Sequence, residues 1–226
     1  MATTPSELRE KFLEKFAVSQ SSNYNLKDLE RVKTDDQWLK QFLTHQDNDL
    51  EKSCSMVDKV LKWRKNYEVG ELKKDDFPDD LHKRADEGLY VKNEDKSGNM
   101  IFYFKVNTHK KEPARLELVK KFIAFQLDET AKANPDEKFV LVFDLYKSTP
   151  AHIDNDLTKF VLSTVAQYMP NFIAYVILYD MAAILVPIWK IIQAWMSNDI
   201  SKHIKVVKKK EIKNYIDEDN LWDHMK

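Results

Sequence analysis

The sequence is poor in glycine. Only Gly70, Gly88 and Gly98 occur in 226 residues, where average usage of about 7% would give roughly 16. A G-x-G-x-x-G dinucleotide turn, a Walker-type phosphate loop and a G-x-S-x-G nucleophile elbow all need glycines at short spacing, so none can be built here. Cysteine is scarcer still. Cys54 stands alone, which excludes an intrachain disulfide and a thiolate zinc site. Net charge is nearly absent as well: Lys+Arg 36 against Asp+Glu 37 leaves −1. That is not the overall basicity of a nucleic-acid binder, and no nucleic-acid partner is expected. The N-terminus, MATTPSELREKFLEKF, lacks the basic stub and apolar run of a secretory signal. A disulfide-free chain of this kind reads as cytoplasmic. The histidines at 45, 82, 109, 152, 203 and 224 never fall at i, i+3 or i+4, so no metal site and no cofactor are expected.

What is present is apolar periodicity. Leu8, Phe12 and Phe16 mark a short amphipathic helix, broken by the polar stretch at 19–25. Thr34 with Gln37 predicts a capping box, followed by Trp38, Leu39, Phe42 and Leu43 on one face. After the Asp47–Asp49 cluster, Leu50, Cys54, Val57, Leu61 and Arg64 form one stripe of a helix running to about Tyr67. Residues 1–70 are therefore expected to be a helical subdomain.

Beyond Phe77-Pro78 the pattern changes. Leu89–Val91 and Met100–Val106 read as a β-hairpin turning at NEDKSGN, with Gly98 at positive φ. A helix begins near Pro113 and ends at Asn134-Pro135. Lys138–Leu145 and Ala174–Tyr179 are continuous apolar runs of strand length, as expected for strands covered on both faces. A helix spans Ile153–Tyr168 between them. Ala182–Met196 reads as a very apolar helix, Ile204–Val207 as a short strand and Lys209–Ile216 as a last helix. Strands alternating with helices imply an α/β fold with a largely parallel sheet behind the helical N-terminal part.

Asp144 ends a buried strand where α/β sites form, but no second acid, histidine or nucleophile stands near it in sequence. A bond to the next turn's backbone is the expectation. The segment MAAILVPIWKIIQAWM (181–196) is less ordinary. Lys190, Gln193 and Ser197 make a narrow polar stripe, with Met181, Ile184, Ile188, Ile192 and Trp195 opposite. That apolar arc is wider than packing on one sheet requires. The segment is also too short and too interrupted for a transmembrane span. Lys205, Lys208, Lys209, Lys210 and Lys213 form the one dense basic run.

These segments resemble the CRAL-TRIO lipid-binding domains, which include cellular retinaldehyde- and tocopherol-binding proteins and the yeast phosphatidylinositol transfer protein. The resemblance rests on WLKQFLTHQDNDLEKSCSMVDKVLKWRKNYEV (38–69), DKSGNMIFYF (95–104), FVLVFDLYKS (139–148) and YMPNFIAYVILYDMAAILVPIWKIIQAWM (168–196). The run D-x-x-x-L-x-x-H-M at 217–225 is similar to the N-terminal domain of motile sperm domain-containing membrane-contact proteins. The resemblance implies a lipid-binding domain over 71–226 with a CRAL-TRIO-like sheet and flanking helices. It implies no catalysis: one hydrophobic lipid is bound, with transfer between membranes as the further expectation, in a pocket closed by a gate helix at 182–197. Tyr103, Leu141, Phe143, Val176 and Leu178 are the expected floor, though alternation alone leaves open which face is the pocket. Leu185, Ile188, Ile191 and Ile192 are the expected gate lining. Trp189, Trp195, Lys208, Lys209 and Lys210 are expected to meet a membrane or lipid-droplet surface. The expected protein is a monomer, peripheral at intracellular membranes, and anchored at the endoplasmic reticulum where a natural chain runs longer. The alternative is a membrane- or protein-docking module of a tethering protein whose pocket is filled. Asn171 and His203 stand where phosphatidylinositol-binding members carry Glu and Lys, so inositol headgroup recognition is not expected.

Overall fold

The computed structural model describes residues 3–17, 21–196 and 201–226. They form two compact units. The first holds α1 (Pro5–Phe12), α2 (Leu26–Thr34), α3 (Asp36–His45) and α4 (Leu50–Asn66), together with residues 121–135 and 163–171. Thr4 caps α1 in a capping box with Glu7, and Asp49 caps α4 by accepting from the Lys52 amide at 2.9 Å. Leu8, Phe12, Leu39, Phe42, Val57 and Leu61 pack into one core.

The capping box expected at Thr34 is not formed. Thr34 is the last residue of α2 and its hydroxyl donates to the Glu30 carbonyl at 2.9 Å. Asp35 caps α3 instead, accepting from the Trp38 amide at 2.8 Å. The carboxylate takes the position because it makes the stronger, charge-assisted bond to an amide.

Arg64 ends the α4 stripe in the core. Its guanidinium meets Asp28 at 2.8 Å and Asp128 at 2.6 Å. Burial opposes ionisation of Asp128, but Arg64 and Lys132 outweigh it and hold that carboxyl below its ordinary range. At Asp28 burial wins and the carboxyl is raised. Its Oδ2 is buried without a partner, which fits that direction.

The second unit contains α5 (Asp79–Gly88), β1 (Leu89–Glu94), β2 (Met100–Lys105), β3 (Phe139–Asp144), β4 (Ile173–Tyr179), α8 (Val186–Ala194) and β5 (Ile204–Val207). The helices α6 (Leu116–Ala133) and α7 (Asn155–Gln167) divide between the two units. The sheet runs β1-β2-β3-β4-β5, with β1 antiparallel to β2 and the other pairs parallel. This is the mixed α/β architecture with a largely parallel sheet that the alternation of patterns predicted. The scarcity of glycine has a structural counterpart. Asp47, Asn48, Asn93, Asn171 and Asp180 adopt positive φ where glycine would be usual, as the short polar side chains of Asn and Asp permit. Gly98 takes the hairpin turn at φ 79°.

The helix expected over Lys209–Ile216 is reduced to a single 3-10 turn, Ile212–Asn214. Two further 3-10 turns, Glu218–Asn220 and Asp223–Met225, follow along a C-terminal strap in which burial against the sheet outweighs the local helical pattern.

Candidate functional site: a two-faced sheet and an exposed apolar helix

Strand register sorts the sheet residues onto two faces, because side chains alternate along each strand. One face carries Leu89 and Val91 on β1, Met100, Phe102 and Phe104 on β2, and Phe139, Leu141 and Phe143 on β3. Val176 and Leu178 on β4 and Ile204 and Val206 on β5 complete it. None of these side chains carries a nitrogen or oxygen. Their phenyl rings form a row. Phe172 stacks on Phe139 at 4.5 Å, Phe139 meets Phe102 at 6.5 Å, Phe102 stacks on Phe104 at 5.0 Å, and Phe104 on Phe143 at 4.8 Å. Phe139 and Leu141 are fully buried, while Phe143 at the far end is only partly covered.

Past the irregularity in β1, Glu94 stands opposite Met100 at the hairpin end of the apolar face, while the other face holds Tyr90, Tyr103, Lys105, Asp144, Tyr175, Tyr179 and Lys205. The chain's own C-terminal strap covers it, with Ile212, Ile216, Leu221 and Met225 buried among Ile101, Val140, Val142 and Ile177. The 217–225 run finds its physical reason here. His224 Nε2 meets Asp144 Oδ2 at 2.7 Å, and the imidazole stacks on Tyr146 at 5.2 Å. Trp222 stacks on Tyr103 at 4.2 Å and donates to Tyr90 Oη at 2.8 Å. Asp144 Oδ1 accepts the Tyr146 amide at 3.0 Å, the backbone bond expected of it, and Oδ2 also accepts the Tyr103 hydroxyl. Desolvation, then the adjoining carboxylate, raises the Tyr103 phenol. Burial pushes Tyr179 up to about 12, with the charges of Asp180 and Asp144 adding to it. Lys205 lies 4.4 Å from the Tyr175 ring and 4.7 Å from the Tyr215 ring. The Asp144–His224 pairing joins residues eighty positions apart, and no local pattern signals it.

The expected floor residues are therefore not all together. Leu141, Phe143, Val176 and Leu178 share the apolar face. Tyr103 does not join them: its place in the register puts it on the strapped face, where its hydroxyl has a partner.

The expected gate is a 3-10 turn, Ala183–Leu185, running into α8. Residue 197 lies outside the described residues. Leu185 and Ile192 are buried and Ile188 and Trp189 are half-buried. Ile191 does not line an interior with them, since it is 50% exposed. Ile184 (64%), Val186 (37%) and Trp195 (42%) are exposed in the same segment. The Lys159 ammonium lies 5.6 Å from the Trp195 ring. Within the basic run, Lys208, Lys209 and Lys210 are exposed, and Lys209 donates to the His224 carbonyl at 2.9 Å. Lys213 is paired with Glu218 at 2.9 Å. No helix among the described residues is long and apolar enough to cross a membrane.

Residues 85–226 match the family model described as CRAL/TRIO domain. Among solved structures the chain is similar to one described as the crystal structure of Sfh5. The identity is 13%, with 89% of this chain and 79% of that chain covered, at a TM-score of 0.60. At that identity the likeness is one of fold.

Proposed function

The chain belongs to the CRAL/TRIO domain family of lipid-binding carriers, and from that premise we propose that it holds one hydrophobic lipid against the apolar face of its sheet. In this reading residues 71–226 are the lipid-binding domain, the 182–197 segment is its gate, and the lipid is delivered between membranes. The likeness of the 217–225 run to motile sperm domain-containing proteins supports, as part of this reading, a role at membrane contacts. The observation that carries the reading is a concentration of exposed apolar side chains. Of the exposed large hydrophobics Leu26, Ile184, Val186, Ile191, Trp195 and Val206, four lie within 184–195. Such a concentration of exposed apolar side chains in one short segment marks a surface that meets something apolar. A short helix of this kind beside exposed lysines suits an interface with anionic lipid.

The physical driving force is sufficient. Burying an acyl chain contributes about 0.8 kcal/mol per methylene, so a sixteen-carbon chain approaches roughly 12 kcal/mol before ordering costs. A second reading, a docking module with a filled interior, is supported by the full burial of Phe139 and Leu141 behind the phenyl row. Native mass spectrometry of the protein after exposure to a cell lipid extract separates the two. One retained lipid per chain is expected. Apo mass alone overturns lipid binding and leaves the docking module.

A further inference from the structure

We propose that the loops after β2 and β3 form an acid-sensitive latch, which parts when His109 takes up a proton and loosens the adjoining end of the apolar face. The coupling to that face rests on the lipid-binding reading above; the latch itself does not. Residues 106–112 and 145–154 leave the carboxyl ends of two neighbouring parallel strands. They run alongside one another at a constant offset of 39 positions. Asn107 Nδ2 donates to the Tyr146 carbonyl at 2.9 Å, and Lys111 Nζ donates to the Pro150 carbonyl at 3.0 Å. The same offset sets His109 level with Ser148. Both side chains put a polar atom inside the join, since His109 Nε2 and Ser148 Oγ are buried without a hydrogen-bond partner.

A neutral imidazole can leave Nε2 as a bare lone pair. The imidazolium cannot, because both ring nitrogens then carry a proton and Nε2 becomes a buried donor with no acceptor in reach. Burial pushes the His109 imidazole below its ordinary value. Asp154 before α7 and the adjoining Glu112 oppose that shift, while Arg84 on α5 and Lys111 add to it. Glu112 is already paired with Arg84 at 2.7 Å, and Asp154 Oδ1 accepts the Leu157 amide at 3.0 Å. In the parted form the ring meets water and titrates near about 6.5. The open form therefore binds the proton first as pH falls. Closure is full above about 6.5 and weakens below it, by at most about tenfold per pH unit for one proton. Phe104 and Phe143, stacked at 4.8 Å, stand just before the two loops begin, so parting the loops loosens that end of the face.

The test measures amide hydrogen exchange of the full chain near pH 7.5 and near pH 5.5, as protection factors corrected for the intrinsic rate. The Ser148 amide, bonded to the Leu145 carbonyl at 2.9 Å, is the reporter. Its protection is expected to fall roughly threefold or more in acid, and not in His109→Gln. His109→Asn repeats the measurement should the longer amide disturb the fold. Asp154→Asn keeps a capping side chain but removes a charge that favours protonation, so it should enlarge the fall. His152, the other imidazole of the two loops, accepts the Thr149 amide at 3.0 Å, which makes His152→Gln the control. Unchanged protection in acid overturns the latch. So does an acid loss that His152→Gln abolishes and the His109 variants retain. Lipid taken up from a cell lipid extract, weighed by native mass spectrometry, should be retained less at the lower pH. Equal retention with the loops open overturns the coupling to the apolar face. Apo mass at both pH values defeats the lipid-binding reading and leaves the latch to the exchange result.

Discussion

Replacing Ile184 and Ile191 by glutamate tests the membrane role of the 184–195 surface. Fully burying an isoleucine side chain contributes about 1.5–3 kcal/mol. Ile184 is 64% exposed and Ile191 50%, so entering a lipid interface gains each of them only the remaining half, roughly 1 kcal/mol. Losing both removes about 2 kcal/mol, near thirtyfold in a partition coefficient. The two new carboxylates take the formal net charge from −1 to −3, each Ile→Glu adding −1. On anionic vesicles the repulsion adds about 1 kcal/mol per charge, moving the loss toward a thousandfold. Folding should change little, because substitutions at exposed positions usually stay within about 0.5 kcal/mol. The assay is vesicle flotation on neutral and phosphatidylserine-containing membranes, with thermal melting of the same preparation. A partition change below threefold at an unchanged melting temperature would refute the reasoning. Trp189→Glu is a poorer probe, since Trp189 is half-buried and its loss would mix folding with binding.

Arg64→Met should destabilise the protein by roughly 3–5 kcal/mol in chemical denaturation, because it leaves buried Asp28 without its ion pair and Asp128 with Lys132 alone; a loss below 1 kcal/mol would show the ion pairs to be idle. In a competition assay phosphatidylinositol should not outcompete phosphatidylcholine tenfold, since Asn171 and His203 supply neither a carboxylate nor an ammonium. Burial opposes ionisation of Asp95, yet hydrogen bonds from Asn99, Tyr175 and the backbone amides of Asn99 and Ser97 hold its carboxyl below the ordinary value. A depressed folded value means that its stabilisation is present above the unfolded value of about 3.9 and is lost as pH falls through the folded one. Asp95→Asn should therefore make unfolding free energy less steep in acid, measured by urea titration from pH 5 to 2, and an unchanged slope would count against it.

Most of the elements were legible in the sequence because their signals are local. The stripe Cys54, Val57, Leu61 and Arg64 marks a helix by a period that neighbouring residues set among themselves. The apolar runs of β3 and β4 have strand length and flanking turns within a residue or two of the observed bounds. Local signals misled where two of them competed or where distant packing intervened. Thr34 was expected as the cap of α3, but its hydroxyl turns back to the Glu30 carbonyl and Asp35 caps the Trp38 amide instead. Lys209–Ile216 had a helical pattern, but Ile212 and Ile216 are buried against the sheet together with Leu221 and Met225, in a strap that no single helix could follow.

The site divides along the same line. Composition, alternation and the width of the apolar arc at 181–196 determined that this chain carries buried strands and an unusually apolar helix, with no means of building the common phosphate-binding or nucleophilic motifs. Alternation also sorted Leu141 and Phe143 from Val140 and Val142. It said nothing of which set the C-terminal segment covers, because a period of two is the same from either side. Only the tertiary structure decided that. The strap from Ile212 to Met225 closes one face, and His224 reaches back to Asp144 across eighty residues. Tyr103 falls on that closed face by register alone. A strand's own residues dictate that its faces differ, whereas the chain segment that covers one of them is chosen by contacts too far away in sequence for any local pattern to record.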